Sequence, residues 1–179
     1  MTLRFVHPDD AEAILRIYAP YVEQTAATFE TDVPKLSDFK SRIASISSQY
    51  PYLVCEQDGQ IIGYAYATKH RERDAYRYDV DVSIYMKAAY HGNGAARSLY
   101  EKLFELLKAQ GYYNAYAACV GSNVRSIAFH ERCGFRVIGT HHNTGYKFGR
   151  WHDVVWMERE IRPHDECPGN IKPINGGNL

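Results

Sequence analysis

Val80-Asp81-Val82-Ser83-Ile84-Tyr85-Met86, followed by His91-Gly92-Asn93-Gly94-Ala95-Ala96 and an amphipathic run from Ala95 to Gln110, is the stretch that decides the fold. The first seven residues carry the β-branched and aromatic side chains of a strand. Leu99, Leu103, Leu106 and Leu107 recur at helical spacing, and Gly111 stands where the helix should stop. Strand, glycine turn and helix N-terminus in that order make an anion cradle. Gly92 and Gly94 let the backbone approach a ligand closely, and the unpaired N–H groups of the first helical turn point at it. A phosphate-bearing ligand is the expectation. The loop alone does not name it: a dinucleotide turn wants glycine where Arg97 stands, and the Gly-Lys-Ser/Thr of a P-loop is missing.

Upstream, Leu3 to Val6 reads as a strand. Pro8-Asp9-Asp10 reads as a helix start with acidic residues in its first turn. Pro20 should weaken that helix, and a loop through Thr31-Asp32 follows. A second helix begins near Pro34 or Ser37 and ends about Ser47. Tyr52 to Glu56 and Gln60 to Thr68 flank Asp58-Gly59 as a hairpin. Arg71 to Arg77 is polar and reads as a loop before the strand Asp79 to Met86. Downstream come a strand over Ala115 to Val120, a helix capped by Ser122-Asn123 and ending at Arg132, a strand from Phe135 to Gly139 and a last one from Val154 to Glu160. The order β-α-α-β-β-β-α-β-α-β-β describes a mixed α/β (α+β) domain, antiparallel in its first half with one or two βα crossovers afterwards. One domain over 1–161 is expected, with a tail over 162–179 that carries Pro163, Pro168 and Pro173 and shows no periodicity.

The bulk properties exclude several classes. The 179 residues include 21 basic and 21 acidic side chains, a net charge of +0, so no global electrostatic case exists for nucleic acid or an anionic membrane. Asp9, Asp10 and Glu12 interrupt any leader-like apolar region, and no apolar run of about 18 residues would span a membrane. The four cysteines form no CxxC pair, and His141-His142 lacks a partner at metal spacing, so no metal site is expected. Reduced thiols fit the cytoplasm. Six of the 15 tyrosines fall between Tyr50 and Tyr78, as sheet faces or as ligand walls.

Two separated motifs then narrow the ligand. The loop His91-Gly92-Asn93-Gly94-Ala95-Ala96, with Asn123, Ser126, His130 and Gly134-Phe135 spaced behind it, resembles the GNAT N-acetyltransferases. That family binds the acetyl-CoA pyrophosphate on a Gln/Arg-x-x-Gly-x-Gly/Ala loop; His91 replaces the Gln/Arg. Within the family the chain is similar to the phosphinothricin and methionine sulfoximine (sulfone) acetyltransferases. The stretches concerned are Tyr21 to Glu30, Arg71-x-Arg73-x-Ala75-Tyr76, Ser83-Ile84-Tyr85 and Lys147-Phe148-Gly149-Arg150-Trp151-His152-Asp153.

The resemblance implies a mostly antiparallel GNAT-type sheet flanked by helices, and acetyl-CoA as the co-substrate. Direct transfer in a ternary complex to the α-amino group of a small amino-acid-like acceptor is implied too, and a homodimer built through C-terminal strands. The pyrophosphate would sit on Gly92, Asn93, Gly94 and the Ala95, Ala96 and Arg97 amides. The pantetheine arm would pair with the backbone of Ile84, Tyr85 and Met86, with Asn123 and Ser126 opposite. Asp81 stands where the subfamily has a glutamate facing the amine; read from the residues alone, it could instead pair with Arg71, Arg73 or Arg77. His130 holds the place of the family's tyrosine acid, with Tyr85 or water as substitutes. Arg71, Arg73 and Tyr76 suit an anionic acceptor because guanidinium forks match carboxylates and phosphinates; by resemblance Phe29 and Glu30 close that pocket. Another amine, such as a peptide N-terminus or polyamine, and a non-catalytic acetyl-CoA-binding module stay open as alternatives.

Overall fold

A computed structural model describes residues 1–174. Its elements are β1 (Thr2–Phe5), α1 (Ala11–Gln24), α2 (Leu36–Ser47), β2 (Tyr52–Gln57), β3 (Gln60–Lys69), β4 (Asp79–Met86), α3 (Ala95–Gln110), β5 (Asn114–Val120), α4 (Val124–Arg132), β6 (Arg136–Lys147) and β7 (Arg150–Glu160). The order is the one the sequence predicts. The strands form one seven-stranded sheet in the order β1-β2-β3-β4-β5-β7-β6. Of these neighbours only β4 and β5 run parallel, and α3 supplies the crossover that a parallel pair needs.

Period-2 alternation divides the core between the two faces of the sheet. Leu53, Cys55, Val80 and Val82 meet Leu99, Leu103 and Leu107 of α3 on one face. Val54, Tyr52 and Tyr64 meet Ile14, Tyr18, Phe39 and Ile43 of α1 and α2 on the other. The tyrosines stack as cross-strand neighbours on this second face: the Tyr52 and Tyr66 ring centroids are 4.8 Å apart and those of Tyr64 and Tyr85 5.3 Å.

Two expectations on the elements change. Pro20 does not end α1, which runs on to Gln24 because Val22 beyond it is buried in the core; the extension carries Tyr21 toward the end of β4. The last two strands are longer than read. They form a hairpin whose two-residue turn, Phe148-Gly149, has both residues at positive φ (51° and 71°), the geometry of a type I′ turn. In the tail, residues 162–174 form no helix or strand but lie against the domain. Lys172 N–H donates to the Gln110 carbonyl at 2.8 Å, Tyr113 Oη donates to Asp165 at 2.7 Å, and Ile171 packs on the α3 core. The expected tail beyond 174 lies outside the described residues.

Candidate active site

β4 and β5 pair only where Asp79, Val80 and Asp81 face Asn114, Ala115 and Tyr116. Beyond that register the two strands separate, and a cavity of about 380 Å³ opens between them. Val82 to Met86 form one wall, Ala117 to Val120 the other, and the glycine loop lies at the mouth.

The cradle is built as the glycines require. Gly92 and Gly94 sit at φ 86° and 92°, and a Cβ on either would meet nothing within 4 Å. Gly94 is the left-handed residue that opens α3. Ala95 and Asn93 differ from expectation, because the Asn93 side-chain oxygen accepts the Ala95 N–H at 3.0 Å. These two shape the loop, while the Ala96 and Arg97 amides have no partner among the described residues and face the mouth. Arg97, Arg125 and Arg132 add three cations to the lining. Arg97 is held by Glu101 at 2.8 Å.

The backbone of β4 alternates between its neighbours. Lys87 N–H donates to the Ile62 carbonyl at 2.8 Å, and with the regular β3–β4 register period 2 turns the backbone groups of Tyr85 and Ser83 toward β3 and those of Val82, Ile84 and Met86 toward the gap. The expected trio therefore needs correction. Tyr85 pairs within the sheet, Ile84 faces the gap, and Val82 joins it. Met86 also faces the gap, but Tyr21 Oη donates to its carbonyl at 2.6 Å and accepts from its N–H at 3.3 Å, with His91 Nε2 at 3.1 Å.

On the opposite wall the Asn123 side-chain oxygen caps α4 by accepting the Ser126 N–H at 3.1 Å. His130 is only 4 % exposed. Its Nδ1 lies 2.8 Å from the Ser126 carbonyl and its Nε2 2.9 Å from Tyr100 Oη. A carbonyl only accepts, so the proton sits on Nδ1 and Nε2 accepts from the tyrosine. Burial lowers the pKa, against a smaller opposing effect of the Ser126 carbonyl. This arrangement suits a neutral, structural imidazole, not the expected imidazolium acid. Cys119 Sγ is 3.7 Å from the same Nδ1, but that nitrogen holds its proton for Ser126 and cannot take the thiol's, and burial raises the Cys119 pKa.

Asp81 occupies the apex where the strands part. It pairs with no arginine. His70 Nδ1 lies 2.6 Å from its Oδ1. Burial raises the Asp81 carboxyl above its ordinary range, and the His70 hydrogen bond opposes that rise. Of the acceptor candidates, Tyr76 stands edge-on to His70 at 6.1 Å, and the Arg71 guanidinium lies over Trp156 at 5.9 Å. Arg73 precedes the 3₁₀ turn Asp74–Tyr76 and is exposed. Glu30 pairs with Arg42 at 2.7 Å, leaving its other carboxylate oxygen buried without a partner. Phe29 lies against Gly145 of the β6–β7 hairpin. Lys147 Nζ donates to the Thr28 carbonyl at 2.9 Å and the His152 ring donates to the Lys147 carbonyl at 3.0 Å, so the distinctive Lys147–Asp153 run pins the α1–α2 loop over the sheet. Among the described residues no group of His, Cys, Asp and Glu could hold a metal ion, and no helix is long and apolar enough to cross a membrane.

A family model described as "Acetyltransferase (GNAT) domain" matches residues 3–156. The chain belongs to the GNAT family. It is 38 % identical over 167 residues to the phosphinothricin N-acetyltransferase of Alcaligenes faecalis, covering 92 % of this chain and 84 % of that one. It is 33 % identical over 174 residues to the L-methionine sulfoximine/L-methionine sulfone acetyltransferase of Salmonella typhimurium, covering 93 % and 100 %. The crystal structure of a GNAT phosphinothricin acetyltransferase from Sinorhizobium meliloti in complex with AcCoA superposes with a TM-score of 0.85 at 36 % identity, over 89 % of this chain and 87 % of that one. The chain is thus an N-acetyltransferase. Sequence reading missed Tyr21, Val82, Arg125, Arg132 and His70. The two arginines carried a signal: Arg125 lies within the Asn123–His130 motif and Arg132 just after it, seven residues apart on one helix, a spacing that shares a face.

Proposed function

We propose that this GNAT enzyme transfers acetyl from acetyl-CoA to the α-amino group of a small, anionic amino-acid-like acceptor, with phosphinothricin and methionine sulfoximine or sulfone as first candidates. The observation that carries the reading is the opened β4–β5 gap with an anion cradle at its mouth and a half-buried carboxylate at its apex. The residues fit the donor. The cradle around Gly92 and Gly94 leaves room no side chain fills, the Ala96 and Arg97 amides suit a pyrophosphate, and Val82 and Ile84 offer free strand-edge groups to an amide-bearing arm. When bound, the donor supplies the activated thioester.

Asp81 takes one proton from the acceptor ammonium, leaving the electron pair on nitrogen. Its burial-raised basicity suits this task better than an ordinary carboxylate near pKa 4. Strand amides facing the gap stabilise charge growing on the thioester oxygen. Nitrogen bonds the acetyl carbon, the carbon–sulfur bond breaks, and the second amine proton passes to solvent, while the departing sulfur takes up one proton. A thiol of ordinary pKa near 8.5 leaves readily as the anion, so solvent can supply that proton and His130 need not. Without a base for Cys119, direct transfer in a ternary complex is favoured over a covalent acetyl-cysteine route. Arg71, Arg73 and Tyr76 orient the acceptor's anionic group, and Phe29 and Glu30 wall it from the loop side. The free cysteines suit the cytoplasm. The exposed Tyr146, Phe148 and Trp151 beside the edge strand β6 suit a homodimer.

Thiol release from acetyl-CoA, measured across a panel of amino acids, analogues, peptides and polyamines, tests the reading. Preference for a polyamine overturns the acceptor class. Binding of acetyl-CoA with no amine turned over overturns the enzymatic role. A monomer in light scattering removes the dimer.

A further inference from the structure

Among the described residues His70 is the one group in hydrogen-bonding contact with the Asp81 carboxylate, and nothing in the loop motifs points to it. β3 and β4 pair with Thr68 opposite Asp81, so His70, two residues on, faces the same side of the sheet and reaches Asp81 diagonally. Its ring is stacked on Tyr116 at 4.1 Å between centroids and 17° between planes, and Tyr116 is itself the β5 partner of Asp81. Tyr76 closes the remaining edge. The His70 side chain is 10 % exposed and that of Asp81 35 %, so the imidazole is the buried support and the carboxylate the exposed end of the pair.

We propose that His70 is a positioning residue for acetyl transfer, holding the Asp81 carboxylate so that its second oxygen faces the acceptor amine. The inference rests on the reading that Asp81 serves the acceptor. The stack on Tyr116 fixes the plane of the ring, and the ring's Nδ1–H fixes Oδ1. Oδ2 then remains to receive the ammonium proton. Burial raises the Asp81 pKa, and among the groups facing it the His70 hydrogen bond holds that pKa down. Arg71 works in the same direction and Asp79 in the opposite one. Asp79 is held by Asn114 Nδ2 at 2.9 Å, and Tyr116 feels Glu158 from β7.

The test compares H70F, which keeps an aromatic stack without a donor, with H70N, which places an amide N–H near the position of Nδ1. With acetyl-CoA and phosphinothricin, H70F is expected to lose about tenfold in kcat, the effect of one hydrogen bond to a charged group, with KM for acetyl-CoA unchanged. H70N is expected to recover to within about threefold, with KM for acetyl-CoA again unchanged. Equal losses in both variants make the ring mere packing and overturn the proposal. Wild-type rates in both, while D81N has lost activity, overturn it alone. Full activity in D81N overturns the Asp81 reading, and this inference falls with it. The His70 Nδ1–H proton resonance reads the contact without any acceptor: it is expected in the wild type and shifted in D81N, and its absence from the wild type overturns the proposal even if no amine is turned over.

Discussion

A single methyl group at Gly145 reports on the acceptor side of the site. A Cβ there would stand 2.2 Å from Cε2 and Cζ of Phe29 and 2.7 Å from Cε1. Carbon atoms in ordinary contact sit about 3.5–4.0 Å apart, so in G145A the ring must retreat by roughly 1.3–1.8 Å. Gly145 is not among the positive-φ glycines, so alanine adds no backbone strain and the whole perturbation falls on Phe29. That side chain is 38 % exposed and has solvent to swing into. The cost to folding therefore lies at the low end of overpacking, about 1 kcal/mol, or about 2–4 °C in melting temperature for a chain this long. The acceptor loses a pocket wall. A roughly tenfold rise in acceptor KM, about 1.4 kcal/mol, is expected from steady-state kinetics, with KM for acetyl-CoA unchanged because neither residue lines the gap between β4 and β5. F29A should reproduce the acceptor defect, and the double variant should be no worse than F29A alone, since both act through one ring. A lowered melting temperature with unchanged acceptor KM would show that Phe29 only packs the hairpin, and would refute its place in the acceptor pocket.

Further expectations concern separate parts of the site. D81A should lower kcat by about 100-fold while acetyl-CoA affinity by calorimetry stays within about twofold; full rate across pH removes the assigned role. G94V forces a β-branched residue to φ 92°, at about 1–2 kcal/mol or more, and should abolish acetyl-CoA binding; wild-type affinity would relocate the cradle. Burial lowers the His130 pKa. The folded state thus binds fewer protons than the unfolded state below about pH 6.5, so this group's contribution is full above that pH and declines as pH falls toward the folded value. H130F strands the buried Tyr100 hydroxyl at about 1–3 kcal/mol, yet its deficit in urea unfolding should narrow from pH 8 to pH 5. A constant deficit would contradict a neutral, structural His130.

Much of this architecture was legible because local signals agreed with one another. The bounds of β4 and α3 follow from apolar periodicity and from Gly94 and Gly111, each at a left-handed φ that glycine tolerates. The Asp58-Gly59 turn was readable for the same reason, with both residues at positive φ. The β6–β7 hairpin was not. Its turn begins with Phe148, a residue type that seldom adopts positive φ, and the polar run Thr140-His141-His142-Asn143 hides a strand whose register breaks between His141 and Gly145. The reach of α1 past Pro20 was hidden too, because the local cost of proline is offset by burial that only tertiary packing reveals.

The chemistry of the site was legible in motif positions and illegible in partnerships. Gly92 and Gly94 could be named from the loop itself, and Asn123 and Asp81 from the family resemblance, because each supplies something its own residue type provides: an open backbone, a cap, a carboxylate. What each side chain touches depends on register, and β3 and β4 are joined by nine residues that include a 3₁₀ turn, so no turn rule fixes which β3 residue lies beside Asp81. Three arginines nearby made an Arg–Asp pair the natural guess. The fold instead sets a flat, buried imidazole against the carboxylate and turns Arg71 onto Trp156. That choice has a chemical consequence. A guanidinium paired with Asp81 would hold its pKa down and make it a poor base, whereas the imidazole orients the carboxylate while burial, the largest effect, still raises its basicity. Keeping the arginines off Asp81 and available to the acceptor's own anionic group is therefore a requirement of the proposed reaction, and H70R should fail as an acetyltransferase where H70N succeeds.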